Sequence, residues 1–159
     1  MKAFFLSLFI LVSGCHGAES EVEFNPLPVL PAVKVTVDVF GSYTCGICNE
    51  ELPGLHERMV RFNQGRLNKV TVRLFVVNGK GNANVTQNIA DQYAKDLGLT
   101  TFTAYPDNKC RGQYQAYYPN QGCYVPAHVL IEGSDLKIYP QGRVNLDKFM
   151  ADVKAAVGE

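Results

Sequence analysis

The stretch that decides the fold is residues 33–62, VKVTVDVFGSYTCGICNEELPGLHERMVRF. It opens with an apolar, β-branched run at 33–40, which is long enough for one buried strand. Gly41 and Ser42 break the run, and two cysteines in a Cys-x-x-Cys spacing follow. Apolar residues then recur at the helical period and predict an amphipathic helix: Leu52, Leu55, Met59 and Phe62. The two cysteines therefore lie where a strand gives way to a helix.

Cys45 and Cys48 are the candidate reactive residues. The first turn of a helix presents unpaired N–H groups and the positive end of the helix dipole. A cysteine placed there has its pKa lowered from about 8.5 to about 3.5–7.5, and the thiolate is the species that attacks disulfides. With two residues between them, the sulfurs can cycle between dithiol and disulfide. We interpret Cys45, at the helix start, as the nucleophile and Cys48, one turn further, as its buried resolving partner.

The chain resembles the thioredoxin superfamily, in particular its membrane-anchored thioredoxin-like and redoxin branch, over roughly residues 33–157. The residues that carry this resemblance are TCGIC at 44–48, Pro53, and Val125-Pro126 before the apolar run 128–131. The resemblance implies an α/β thioredoxin fold, in which helices flank a central mixed sheet and an extra strand and helix precede a cis-proline. It also implies that Pro126 is this cis-proline and lies against the reactive disulfide, and that the enzyme exchanges thiols and disulfides without a cofactor.

The sequence departs from the family pattern before the first cysteine. Thr44 stands where thioredoxins have tryptophan, and Val39 stands where they have a buried acidic residue. Asp38 is one position earlier, and two interpretations of it stay open. A one-residue bulge would bring Asp38 behind Cys48, where a buried carboxyl suits a proton acceptor. Otherwise Asp38 points to the sheet surface.

The N-terminus reads as a targeting segment. Lys2 precedes an apolar run at 3–12 that is too short to span a bilayer, so residues 1–14 are predicted to be a signal peptide. VSGC at 12–15 resembles the bacterial lipobox, which implies cleavage before Cys15 and lipid on its sulfur. An ordinary signal peptide cut after Gly17 is the alternative.

Residues 15–32 read as the lipidated cysteine and a proline-rich tether, and residues 33–159 as the thioredoxin-like domain. The position after Cys15 is not Asp, which by resemblance favours the outer membrane of a Gram-negative cell. We therefore expect a lipid-anchored protein of the bacterial cell envelope that faces the periplasm.

Once Cys15 is assigned to lipid, four cysteines remain in an oxidising compartment. Cys110 and Cys123 are predicted to form a structural disulfide. The alternative is that Cys123, three residues before Pro126, shuttles electrons or modulates Cys45. Zinc is disfavoured because only one close cysteine pair is present, although His56 and His128 could add ligands, so no metal is expected.

Elsewhere, periodicity and turn residues predict the remaining elements. They are strands at 70–77, 100–105, 128–131 and 136–139, a helix with Asn84 as N-cap and Gly98 as C-cap, a short helix within 110–118, and a last helix capped by Asn145. The resulting order is β-α-β-α-β-α-β-β-α.

Composition indicates one domain of 159 residues with a net charge of +0, so nothing points to a nucleic-acid partner.

Gly46 and Ile47, which lie between the two cysteines, offer no cation to stabilise a reduced thiolate, and this favours a reductase. Val125 before the cis-proline resembles the disulfide-oxidase branch instead. We expect reduction or exchange of disulfides in other envelope proteins, with a membrane electron donor restoring the dithiol. The rival interpretations are a non-catalytic module of an envelope complex and a thiol peroxidase.

Overall fold

The computed structural model describes residues 35–65 and 70–159, and the predicted order of elements is confirmed. The strands are β1 Val35–Gly41, β2 Val70–Val76, β3 Thr103–Pro106, β4 Ala127–Glu132 and β5 Asp135–Ile138; the helices are α1 Gly46–Asn63, α2 Gln87–Asp96, α3 Gln113–Tyr117 and α4 Leu146–Ala156. The predicted signal peptide, lipidated Cys15 and tether lie outside the described residues. None of the described helices is long and apolar enough to cross a bilayer.

The strands form one mixed sheet, as predicted, and their order in it is β3-β2-β1-β4-β5. β1 lies at its centre, parallel to β2 and antiparallel to β4. β2 is parallel to β3, and β4 and β5 form an antiparallel hairpin. Because β1 leads directly into α1, the Cys-x-x-Cys motif lies beyond the carboxyl end of the central strand, where open α/β sheets place their sites.

Three helices cover one face of the sheet. Alternate residues of a strand point to opposite faces, and Val35, Val37 and Val39 of β1 join a core cluster with α1, α2 and α4. Leu52 and Leu55 of α1 are fully buried in that cluster. Burying a leucine side chain stabilises a fold by about 1.5–3 kcal/mol, so the apolar stripe of α1 fixes its position over β1.

The opposite face is covered mainly by aromatic side chains, because α3 has only five residues. Phe40 stacks on Phe75 at 5.1 Å between ring centroids and meets the edge of Tyr114 at 5.2 Å. Tyr118 is also buried in this second cluster, together with Cys110. The disulfide between Cys110 and Cys123 closes the loop that contains Tyr114 and Tyr118.

The predicted extra strand and helix are present as α2 and β3, between β2 and Pro126. The expected N-cap of α2 is corrected: the helix begins after Thr86, whose hydroxyl accepts from the N–H of Ile89 at 3.4 Å, and not after Asn84. Gly98 follows the last turn of α2 with φ +70°, a conformation in which glycine is favoured. The predicted N-cap Asn145 of α4 is confirmed, because its Oδ1 accepts from the N–H of Lys148.

The short helix expected within 110–118 is interrupted. Lys109 and Cys110 have φ of 55° and 58°, so a 3₁₀ turn at Asn108–Cys110 is separated from α3. Asp107 then organises the start of α3, since its carboxylate accepts from the N–H groups of Gly112 at 2.6 Å and Tyr114 at 2.7 Å. A Cβ atom at Gly112 would lie 2.7 Å from the Asp107 carboxylate, which explains why glycine stands there.

Candidate active site

Cys45 lies at the N-terminus of α1 and caps it. Its Sγ accepts a hydrogen bond from the N–H of Cys48 at 3.1 Å, in the manner of a capping oxygen. Cys45 is half-buried and Cys48 is fully buried, and the two form a disulfide with a Cα–Cα distance of 5.2 Å. The more accessible sulfur therefore receives a hydrogen bond and the positive end of the helix dipole, both of which stabilise a thiolate.

The turn between β1 and α1 is stabilised by hydrogen bonds within the turn and by one from α2. Ser42 Oγ lies 2.9 Å from the Thr44 hydroxyl and accepts from the N–H of Thr44. The buried Tyr93 of α2 donates to the Ser42 carbonyl at 3.1 Å, and burial raises the pKa of its phenol. A Cβ atom at Gly41 would approach both Leu52 and Tyr93 closely, so glycine allows these two side chains to pack against the backbone there.

A cis peptide bond joins Val125 and Pro126 at the start of β4, directly beside Cys45. The Sγ of Cys45 lies 3.4 Å from the carbonyl oxygen of Val125. Pro126 is buried, whereas Tyr124 and Ile47 expose 65% and 45% of their surface. Exposed apolar side chains therefore occur close in sequence to the half-buried sulfur and to the residue whose carbonyl approaches it.

Asp38 does not lie behind Cys48, and the bulge that would bring it there is absent. The pairing of β1 with β2 runs without interruption from Val37–Val72 through Asp38–Arg73 to Val39–Leu74. Val39 therefore faces the cluster that contains Cys48, and Asp38 faces the opposite side of the sheet. The interpretation of Asp38 as proton acceptor for Cys48 is corrected on this ground.

Asp38 is instead the centre of a buried polar cluster with β2 and α3. Its carboxylate accepts from Arg73 Nε at 2.6 Å and Nη2 at 2.7 Å, and from the Tyr117 hydroxyl at 2.7 Å. Burial and the neighbouring Asp38 carboxylate raise the pKa of Tyr117 to about 12. The other interpretation is also modified, because Asp38 points away from Cys48 but is fully buried.

Glu51 and His128 are titratable residues on the Cys48 side of the sheet; the sequence pattern did not single out Glu51 and offered His128 only as a possible zinc ligand. Their side chains are 3% and 0% exposed, and Glu51 Oε1 lies 3.1 Å from His128 Nε2. Glu51 Oε2 accepts from the N–H of Val144 at 3.1 Å. The available signal was spacing: Glu51 follows Cys48 by three residues, on the helix stripe that also carries Leu52 and Leu55.

The structure separates the residues considered for zinc. His56 packs its ring against Phe102 at 5.2 Å, and His128 is buried beside Glu51. Within residues 35–65 and 70–159, no group of three or more His, Cys, Asp and Glu side chains could hold a metal ion.

Cys110 and Cys123 lie on the aromatic face of the sheet and connect to the reactive turn through the backbone. Cys123 is two residues before Val125, whose carbonyl approaches Cys45. The Tyr114 hydroxyl lies within 3.0 Å of the carbonyl oxygens of Gly122 and Tyr124 and accepts from the N–H of Tyr124. The disulfide and Tyr114 therefore hold the segment that leads to the cis peptide bond.

Several solved structures are similar to this chain. The dsbF protein of MTB matches with a TM-score of 0.58 and 18% identity, over 78% of this chain and 81% of that one. A secreted Mycobacterium tuberculosis disulfide oxidoreductase homologous to E. coli DsbE gives 0.53 and 22%, over 77% and 81%. The exposed lipoprotein thioredoxin Etrx1 of Streptococcus pneumoniae gives 0.57 and 18%, over 77% and 85%.

These similarities establish that the chain has the thioredoxin fold, and the predicted resemblance is confirmed at that level. No family model and no curated protein matches the sequence.

The buried Asp38–Arg73 pair leads to a stability prediction. Replacing Asp38 with Asn leaves the Arg73 charge without its carboxylate, and because that side chain is 32% exposed the cost should fall below the ~3–5 kcal/mol of a fully buried pair. The double variant Asp38→Asn/Arg73→Met removes that charge and recovers part of the loss. Urea denaturation measures both effects. Disulfide exchange by the folded fraction of Asp38→Asn should match that of the wild type, and a selective loss of exchange would return Asp38 to the role of proton acceptor.

Proposed function

We propose that this protein is a thiol–disulfide oxidoreductase that acts on the cysteines of other proteins through Cys45 and Cys48. The observation that carries the proposal is the capped sulfur: Cys45 accepts the Cys48 N–H at a helix N-terminus and is the more exposed of the pair. The similar solved structures named as disulfide oxidoreductases and as a thioredoxin support the same activity.

The proposed reaction begins when the Cys45 thiolate attacks a substrate disulfide and forms a mixed disulfide. Cys48 then attacks Cys45, which releases the reduced substrate and leaves the pair oxidised. Pro126 shapes the groove beside the sulfurs, and the Val125 carbonyl lies near enough to receive a hydrogen bond from the reduced Cys45 thiol. Glu51, one helical turn from Cys48, takes the place proposed for Asp38 as acceptor of the Cys48 proton.

The central prediction concerns reduction of insulin disulfides by dithiothreitol. Wild-type protein should accelerate the reaction, and Cys45→Ser should return it to the rate of dithiothreitol alone, because the attacking sulfur is gone. Cys110→Ser/Cys123→Ser is the matched control. It should keep catalysis while folded and lose about 3 kcal/mol of stability in urea, the amount expected from opening a loop of this length.

Unchanged insulin reduction by Cys45→Ser would exclude the enzyme and favour a non-catalytic module. Peroxide consumption measured in parallel separates the thiol peroxidase, which would consume peroxide in a Cys45-dependent manner. Loss of catalysis in folded Cys110→Ser/Cys123→Ser would assign the second pair a part in electron transfer.

For the direction of exchange, we propose reduction of substrate disulfides. Gly46 and Ile47 carry no charge that would stabilise the dithiol form, and a less stabilised dithiol is a stronger reductant. Equilibration with glutathione should give the Cys45–Cys48 couple a reduction potential of about −270 mV. A reduction potential of about −120 mV would instead identify an oxidase. A reductase also needs a membrane electron donor to restore its dithiol.

We further propose that the protein is exported and anchored to the cell envelope through lipid on Cys15. The lipobox-like VSGC at 12–15 and the exposed lipoprotein among the similar structures support this. Expression in a Gram-negative host with a radiolabelled fatty acid should label the wild type, whereas Cys15→Ser should remain unlabelled because the acceptor sulfur is missing. Absence of label from both proteins would favour the ordinary signal peptide, and equal labelling of both would exclude Cys15 as the lipid acceptor. Fractionation then distinguishes the outer from the inner membrane.

A further inference from the structure

The buried Glu51–His128 pair, whose Glu51 lies one helical turn after Cys48, has unusual hydrogen bonding. Three buried polar atoms of the pair have no well-aligned hydrogen bond among the described residues: Glu51 Oε1 and both ring nitrogens of His128. Glu51 Oε1 and His128 Nε2 are nevertheless only 3.1 Å apart. Leaving a buried polar group without a partner costs about 1–3 kcal/mol, so most buried polar groups are satisfied. A pair that remains buried and poorly bonded beside a reactive cysteine is a candidate for function.

Both groups lie on the Cys48 side of the sheet. Glu51 follows Cys48 by three residues on α1, which puts their Cβ atoms about 5–6 Å apart. Helical side chains lean towards the N-terminus, which is the direction in which Cys48 lies from Glu51 along α1. His128 pairs in register with Val39, the β1 residue that faces the core cluster containing Cys48.

We propose that His128 is a positioning residue for proton transfer from Cys48, because its imidazolium keeps the Glu51 carboxyl ionised. This inference rests on the proposed function. A lone buried carboxylate is strongly disfavoured and would take up a proton from water, which would leave Cys48 without an acceptor. A positive charge 3.1 Å away compensates the carboxylate and allows it to persist in the core.

The step conserves atoms and charge. In the mixed disulfide, the Cys48 thiol gives its proton to the Glu51 carboxylate, and the resulting Cys48 thiolate attacks the Cys45 sulfur. The Cys45–Cys48 bond forms as the bond from Cys45 to the substrate breaks, and the substrate leaves as a thiolate that is protonated by water. Two electrons pass from the dithiol to the substrate. The imidazolium keeps its proton throughout the step and acts only on Glu51.

The Glu51 proton has a route to solvent. A cavity of about 190 Å³ is lined by Glu50, Glu51, Arg143, Val144 and Leu146. Glu50 and Arg143, which are well exposed, form an ion pair with each other beside it. On the other side of His128, the ring of Phe149 separates it from Tyr139, and Asp152 is bound by Tyr139 and Lys137. The remaining charges around the pair are thus compensated, which leaves His128 to balance Glu51.

The test separates the two halves of the reaction in full-length protein by rapid acid quench with a disulfide-bonded peptide. His128→Gln keeps a polar side chain of similar size but cannot carry the charge. Formation of the Cys45 mixed disulfide should keep the wild-type rate. Resolution by Cys48 at neutral pH should slow by about 10²-fold, the lower end of what positioned proton transfer contributes. Phe149→Leu, which alters packing against the His128 ring without removing a charge, should resolve at the wild-type rate.

A double variant tests the coupling. Glu51→Gln/His128→Gln should resolve no more slowly than Glu51→Gln, because His128 acts only through Glu51. Wild-type resolution by folded His128→Gln would overturn the inference while leaving the oxidoreductase intact, whereas failure of the wild type to form any mixed disulfide would overturn the proposed function itself.

A second measurement keeps the inference testable if these variants do not fold. Wild-type protein labelled with ¹⁵N-histidine should show both ring nitrogens of His128 protonated at neutral pH. Signals of a neutral ring there would overturn the inference.

Discussion

The hydrogen bond from the Cys48 N–H to the Cys45 sulfur is the interaction on which the chemistry depends. It exists because β1 ends at Gly41 and α1 begins at Gly46, so the intervening turn delivers a sulfur to the position that an oxygen commonly occupies in a helix cap. The sheet places β1 at its centre, and β4 brings the Val125 carbonyl to the same sulfur. The main contribution of the fold to the site is therefore the position of the Cys45 sulfur.

The sequence was sufficient for the features that depend on local pattern. The strand, the Cys-x-x-Cys turn, the helix stripe and the proline before β4 are encoded by neighbouring residues, and all appear where they were expected. The direction in which Asp38 points depends on the register between β1 and β2, which residues near Asp38 do not specify. The meeting of Glu51 with His128 depends on how α1 lies over β4, so periodicity predicts their burial but not their contact.

The two faces of the sheet support different tasks. On the face covered by α1, α2 and α4, the buried pair Glu51–His128 keeps incomplete hydrogen bonding. On the aromatic face, the Asp38 carboxylate is fully paired, since two Arg73 nitrogens and the Tyr117 hydroxyl bind it. Fully satisfied buried networks make a core rigid, whereas an incompletely bonded buried polar group is costly to keep in the core.

The 80-residue separation between Cys45 and Val125 affects the order in which the site is completed during synthesis. The helix cap around Cys45 needs only adjacent residues, but the surface that orients an incoming disulfide needs β4 to be seated beside β1. Contacts so distant in sequence form late, because a large loop must close before they are made. A partly synthesised chain thus contains the sulfur that caps α1 before β4 supplies the Val125 carbonyl beside it, so the second side of the site is completed only with the last third of the polypeptide.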